Sequence, residues 1–76
     1  MPKPRMKPHA RARLRMLRTL METHGLTRSD VARITSRRAS TVRVWLSANQ
    51  AVSADALRLL HMGLGLGPVE IPGVGE

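Results

Sequence analysis

The chain contains no cysteine, phenylalanine or tyrosine, and a single tryptophan, Trp45. Lack of cysteine excludes disulfides and thiolate zinc sites and fits a reducing compartment, so a cytoplasmic protein is expected. With one aromatic, the core has to be assembled from Leu, Val, Ile, Met and Ala, which suits a small helical bundle. No apolar run approaches the ~20 residues that cross a bilayer, and Met1 to Lys7 lacks the apolar stretch of a secretory leader. Neither a membrane span nor an export signal is expected. At 76 residues there is room for one domain, which buries roughly 60% of its unfolded surface and so has a thin margin of stability.

Acidic residues are scarce as well, five against thirteen Lys or Arg, for a net charge of +8. Their placement sharpens the asymmetry. Residues 1–43 hold twelve Lys or Arg against Glu22 and Asp30, a net of +10, whereas residues 44–76 hold Arg58 against Asp55, Glu70 and Glu76, a net of −2. A positive end concentrates polyanions near the surface, which points to nucleic acid or an anionic membrane as partner.

Pro2, Pro4 and Pro8 remove amide donors and disfavour helix in the residues before them. Residues 1–9 therefore read as a flexible, extended basic arm carrying Lys3, Arg5 and Lys7. From Ala10 to His24 the pattern is helical: Ala10, Leu14, Leu17, Leu20, Met21 and His24 share one arc, with Arg11, Arg15, Arg18 and Glu22 opposite. Arg13 falls inside the apolar arc, where its stem can cover apolar surface while the guanidinium reaches water or phosphate. Gly25 is placed to end the helix in the left-handed conformation.

Thr27-Arg-Ser-Asp30 matches a capping box, in which a hydroxyl and a carboxylate three residues later satisfy each other's amides. A second, short helix is predicted from Arg28 to about Ile34. Thr35-Ser-Arg-Arg38 interrupts the periodicity, and a third helix is predicted over about Ala39 to Ser47, with Val42, Trp45 and Leu46 at helical spacing. Ser53 can cap a fourth helix, with Asp55 in its first turn, Leu57 and Leu60 facing inward, and Gly63 as its stop. Residues 64–76 form a Gly/Pro-rich tail in which Val69 and Ile71 alternate as an edge strand would. The tail is either a loose end or a dimerisation segment. The expected architecture is thus all-α, a bundle of four to five helices over residues 10–63 between an arm and a tail.

Two short helices joined by a tight turn need a small residue where they cross, here Ala32, and two apolar residues three apart sent back from the second helix, here Val42 and Trp45. Val31 and Ile34 complete that packing, leaving Ser40, Thr41, Arg43 and Ser47 on a polar side. Together with Leu17-Arg-Thr-Leu20, Gly25-Leu-Thr27 and Leu57-Arg-Leu-Leu60, this set resembles the λ-repressor/Cro-like, or XRE-type, helix-turn-helix family over about residues 14–62. The sequence departs from the family pattern at Thr35, usually a large apolar residue, at Ser36, usually Gly, and at Arg38, usually a hydroxyl cap. A second reading makes Ser36 the cap, with Arg37 and Arg38 coating a solvated first turn.

The resemblance implies a homodimer on a two-fold double-stranded DNA operator, with the third helix reading bases and binding itself acting as regulation, in the manner of a phage or mobile-element repressor. By position, Arg38, Ala39, Ser40, Arg43 and Val44 would approach base edges, and Thr41 and Ser47 share that helix side. Arg43 can fork two donors onto guanine, Ser40 and Thr41 discriminate poorly, and Val44 can pack on a thymine methyl. Arg28, Arg37 and Asn49 suit phosphate, while Lys3, Arg5 and Lys7 would follow a minor groove. Arg11, Arg15 and Arg18 either coat a solvated face or touch phosphate.

Other classes have less behind them. The first helix is basic and amphipathic, so a module for membranes or a partner's groove is an alternative, but its apolar arc is needed to cover the other helices. RNA binding usually calls for exposed aromatics. His9, His24 and His61 lack metal-ligand spacing, and no nucleophile and base are arranged together, so neither an enzyme, a metal, a cofactor nor a small-molecule ligand is expected.

Overall fold

Pro8 opens the first helix, since the amide it lacks would have no partner in a first turn. A computed structural model describes residues 7–48 and 50–73, which form α1 (Pro8–His24), α2 (Arg28–Thr35), α3 (Ala39–Leu46) and α4 (Ala54–Gly63), with no strand among them. Lys3, Arg5, Asn49 and the residues from Val74 onward lie outside the described residues. The long first helix ends at Gly25, whose φ of 63° is left-handed and whose amide donates to Met21 O. It starts two residues earlier than the periodicity indicates.

The capping box at the start of α2 is complete. Asp30 N donates to Thr27 Oγ1 at 3.1 Å, and Thr27 N donates to the Asp30 carboxylate at 2.9 Å. The Thr27 amide and then the Thr27 hydroxyl hold the Asp30 carboxyl below its usual range against an opposing effect of burial, and Arg33 adds the smallest contribution.

α2 closes on Ser36, which takes the left-handed conformation at φ 56° and donates its amide to Ala32 O and Arg33 O. Ser36 is therefore the last cap of α2 rather than the first of α3. The N-cap of α3 is Arg38, whose side chain caps nothing. At the position where a large apolar residue was the pattern, Thr35 is 1% exposed and returns its hydroxyl proton to Val31 O at 2.7 Å. That bond within its own helix lets a polar residue end α2 inside the core.

α2 sits centrally, packed against both α3 and α4, while α1 lies across both more lightly. The core joins Leu14, Leu17 and Leu20 of α1, Val31 and Ala32 of α2, Val42 and Trp45 of α3, and Leu57 and Leu60 of α4. Ile34 is only half-buried at its edge, and His24, placed on the apolar arc by periodicity, is exposed. Met21 is half-buried.

Three expectations are corrected on the α4 side. Gly63 does not stop the helix. It is the last helical residue, with Leu64 as cap, and a Cβ built on it would collide with Cγ2 of Ile34, so glycine here permits the close approach of α2 and α4. The edge strand at Val69 to Ile71 does not form either, because Ile71 turns inward to 4% exposure and joins the core with Val52 and Ala56. Arg13 does not reach outward. Its Nε donates to Pro72 O at 2.6 Å and its Nη1 to Val52 O at 3.4 Å, clipping the returning tail to α1. Carbonyls freed from helical bonding are the acceptors a part-buried guanidinium needs.

Candidate nucleic-acid interface

Every residue of α3 is assigned by how it is anchored. Val42 is fully buried and Trp45 is 4% exposed, so the helix is held by its aliphatic and indole side. The rest of the surface follows from a turn of about 100° per residue. Ser40, Arg43 and Ser47, at i, i+3 and i+7, make one stripe on the outer side, with Arg38 and Ala39 exposed at its start. Thr41 and Val44 are half-buried, flanking the stripe rather than crowning it. The Ser47 hydroxyl donates to Val44 O at 2.8 Å, which commits its proton to the helix end.

At the other end of α3, Arg28 and Ser29 from the first turn of α2 meet Ala39, Ser40 and Arg43 around a surface depression of about 340 Å³. The structure therefore brings the residue assigned to phosphate, Arg28, beside the start of the stripe assigned to bases. Two sets of helix N-terminal amides open nearby, and no acidic residue stands in the first turn of α3. Arg37 is exposed on the connection between the two helices. Lys7 is exposed at the cap of α1, whereas Lys3, Arg5 and Asn49 lie outside the described residues.

Among the described residues, the side chains of Arg28, Arg37, Arg38 and Arg43 enter neither an ion pair nor a hydrogen bond. The two ion pairs found there are Arg33 with Asp30 and Arg58 with Asp55, both between residues three apart on one helix. Such a cluster of exposed, uncompensated guanidiniums has donors to offer and repels its own neighbours, a state relieved by a polyanion. Chemically the arrangement can bind anions and can present bidentate donors. No group of three His, Asp or Glu capable of holding a metal ion occurs among the described residues, and no helix there is long and apolar enough to cross a membrane.

Sequence reasoning missed one part of this surface. Arg18 Nη2 donates to Leu46 O at 2.9 Å, tying the outer side of α1 to the end of α3. Its spacing on α1 was visible, but the acceptor is 28 residues away in the chain and becomes a neighbour only through packing. Compared with known proteins, the chain matches no family model, and no curated protein and no solved structure matches it.

Proposed function

We propose that this protein is a sequence-specific double-stranded DNA-binding regulator of the XRE-type helix-turn-helix kind, in which α2 and α3 are the paired helices and α3 enters the major groove. The carrying observation is the side of α3 that bears Ser40, Arg43 and Ser47: it is exposed, its arginine is unpaired, and the helix is locked from behind by Val42 and Trp45. A reading helix needs that combination, because base edges discriminate only if donors are held in register.

In this reading Arg43 forks onto a guanine, Val44 packs beside it, and Ser40 and Ser47 add polar contacts of lower discrimination. Arg38, Ala39 and Thr41 flank them. Arg28 and Arg37 hold phosphates, which supply affinity and orientation without sequence information. Binding as a homodimer would set two such helices about 34 Å apart on a two-fold site. Repression by occupancy of the site, as in compact phage regulators, is the mode proposed.

The rival readings lose ground on specific residues. Trp45, the one aromatic, is too deeply buried to stack on an unpaired base, which disfavours single-stranded RNA. Ala10, Leu14, Leu17 and Leu20 are buried against the body, so α1 has no apolar side left for lipid. The direct test is selection of bound duplexes from a random pool. Enrichment of a two-fold symmetric sequence is expected, and a pool that emerges without base preference would refute the proposal.

A further inference from the structure

The outer side of α3 is bounded at each end by a basic concavity, and only the one at Arg28 belongs to the interface proposed above. At the far end Arg11, Arg15 and Arg18 succeed one another at i, i+4 and i+7 on α1. With Thr19 of α1 and Ala48 of the connection after α3, they line a groove of about 700 Å³. At 1.5 Å per residue the first and third arginines stand about 10 Å apart along the axis, a length that about three successive phosphates of one strand occupy. Arg11 and Arg15 are exposed, and their side chains have no partner among the described residues. Arg18 uses one nitrogen on Leu46 O and keeps further donors free, so the groove is fastened to the end of the helix that would meet the bases. The one carboxylate in the lining, Glu22, lies a turn beyond Arg18 and marks where the basic stretch ends.

Eight residues make α3 about 12 Å long, close to the ~12 Å width of a B-form major groove, so strands of phosphate border both of its ends when a duplex is seated. We infer that the α1 groove holds the phosphodiester backbone on the side of the major groove opposite the strand at Arg28. The protein is then a clamp on two strands, with base reading in the middle and phosphate contacts at either end. This rests on the DNA-binding reading. An acidic protein segment would satisfy the same guanidiniums, but the groove's position, walled by the chain leaving α3, favours the duplex.

The test uses the full chain with R11Q/R15Q, two exposed sites whose change should leave the melting temperature where it was. Affinity for a duplex selected from a random pool is measured against salt, and phosphates are mapped by ethylation interference. The expected result is a salt slope shallower by about 1.8, at about 0.9 per lost phosphate contact. Interference should vanish beyond one edge of the site while base preference stays. Arg58→Gln, which removes a charge on the α4 side, sets the size of the long-range field effect and should leave the interference map unchanged. An unaltered slope and map for R11Q/R15Q would overturn the inference, and so would a loss confined to binding of an acidic peptide. If the parent chain enriches no duplex, the DNA-binding reading itself falls. If it does enrich one and Arg43→Ala flattens the base preference while R11Q/R15Q changes nothing, the groove alone is refuted.

Discussion

Gly63→Ala separates local preference from tertiary packing more cleanly than any other single change in this protein. In an open helix, replacing Gly by Ala gains about 1 kcal/mol, and rather less at a last helical position. Here the new methyl would fall on Cγ2 of Ile34. Ile34 is β-branched and stiff at χ1, so its methyl cannot swing aside without an off-rotamer cost of about 0.5–1.5 kcal/mol. Overpacking of this sort typically costs 1–3 kcal/mol, so a net loss of about 1 kcal/mol is expected once the helix gain is subtracted. For a domain of this size that is a fall in melting temperature of about 4–8 °C. The assay is thermal and urea unfolding followed by helical circular dichroism and by Trp45 fluorescence. Repeating the change on an Ile34→Ala background completes a double-mutant cycle. There the obstructing methyl is gone, and Gly63→Ala should become neutral or stabilising. An equal penalty on both backgrounds, or a more stable Gly63→Ala single variant, would refute the close approach of α2 and α4 as the reason for this glycine.

Other changes probe the cap, the clip and the proposed reading helix. Ser36→Gly should stabilise by about 0.5–1 kcal/mol in denaturant unfolding, because it relieves about 1–2 kcal/mol of left-handed strain against about 0.4–1 kcal/mol of added unfolded-chain entropy. A loss of stability would show that the Ser36 side chain has a role of its own. Arg13→Met keeps the stem but removes the donors to Pro72 O and Val52 O, and should cost about 1–3 kcal/mol with faster amide exchange around Ile71. Unchanged exchange there would mean that the tail is held without the clip. The Asp30 carboxyl is lowered on folding, so its contribution to stability is present above the usual carboxylate range and is lost as pH falls through the lowered value. The difference in melting temperature between the parent and Asp30→Asn should therefore shrink under acid, and a constant difference would contradict the capping geometry. Arg43→Ala should weaken binding to a selected duplex by about 1–3 kcal/mol and relax one base position. An equal loss on random duplex would reduce Arg43 to a phosphate contact.

What was legible beforehand is traceable to local physics. The capping box Thr27 to Asp30, the stop at Gly25 and the inward spacing of Val42 and Trp45 each depend on residues within one or two turns of each other. Their structural counterparts lie within a residue or two of the expected positions. The assignment of Ser40, Thr41, Arg43 and Ser47 to a polar side followed from the same periodicity, and of these only Thr41 is half-buried rather than exposed. Thr35, by contrast, looked like an interruption because its polarity hides a bond back to Val31 O. Gly63 looked like punctuation because the residue that explains it, Ile34, belongs to another helix.

The amino-acid order alone therefore determined an all-helical chain, the sides of α1 and α3 that face inward, and a charge gradient from a basic start to a weakly acidic end, since these depend on backbone preference, periodicity and composition. Tertiary structure decided the rest. Only packing brings Arg13 to the carbonyls of a tail that returns from the far end of the chain, sends Ile71 into the core, and sets Arg28 beside Ser40 and Arg11 to Arg18 beside Ala48. Such neighbours arise from long-range contacts whose partners carry no mark of each other in local sequence, because burial and shape act between surfaces rather than along the backbone.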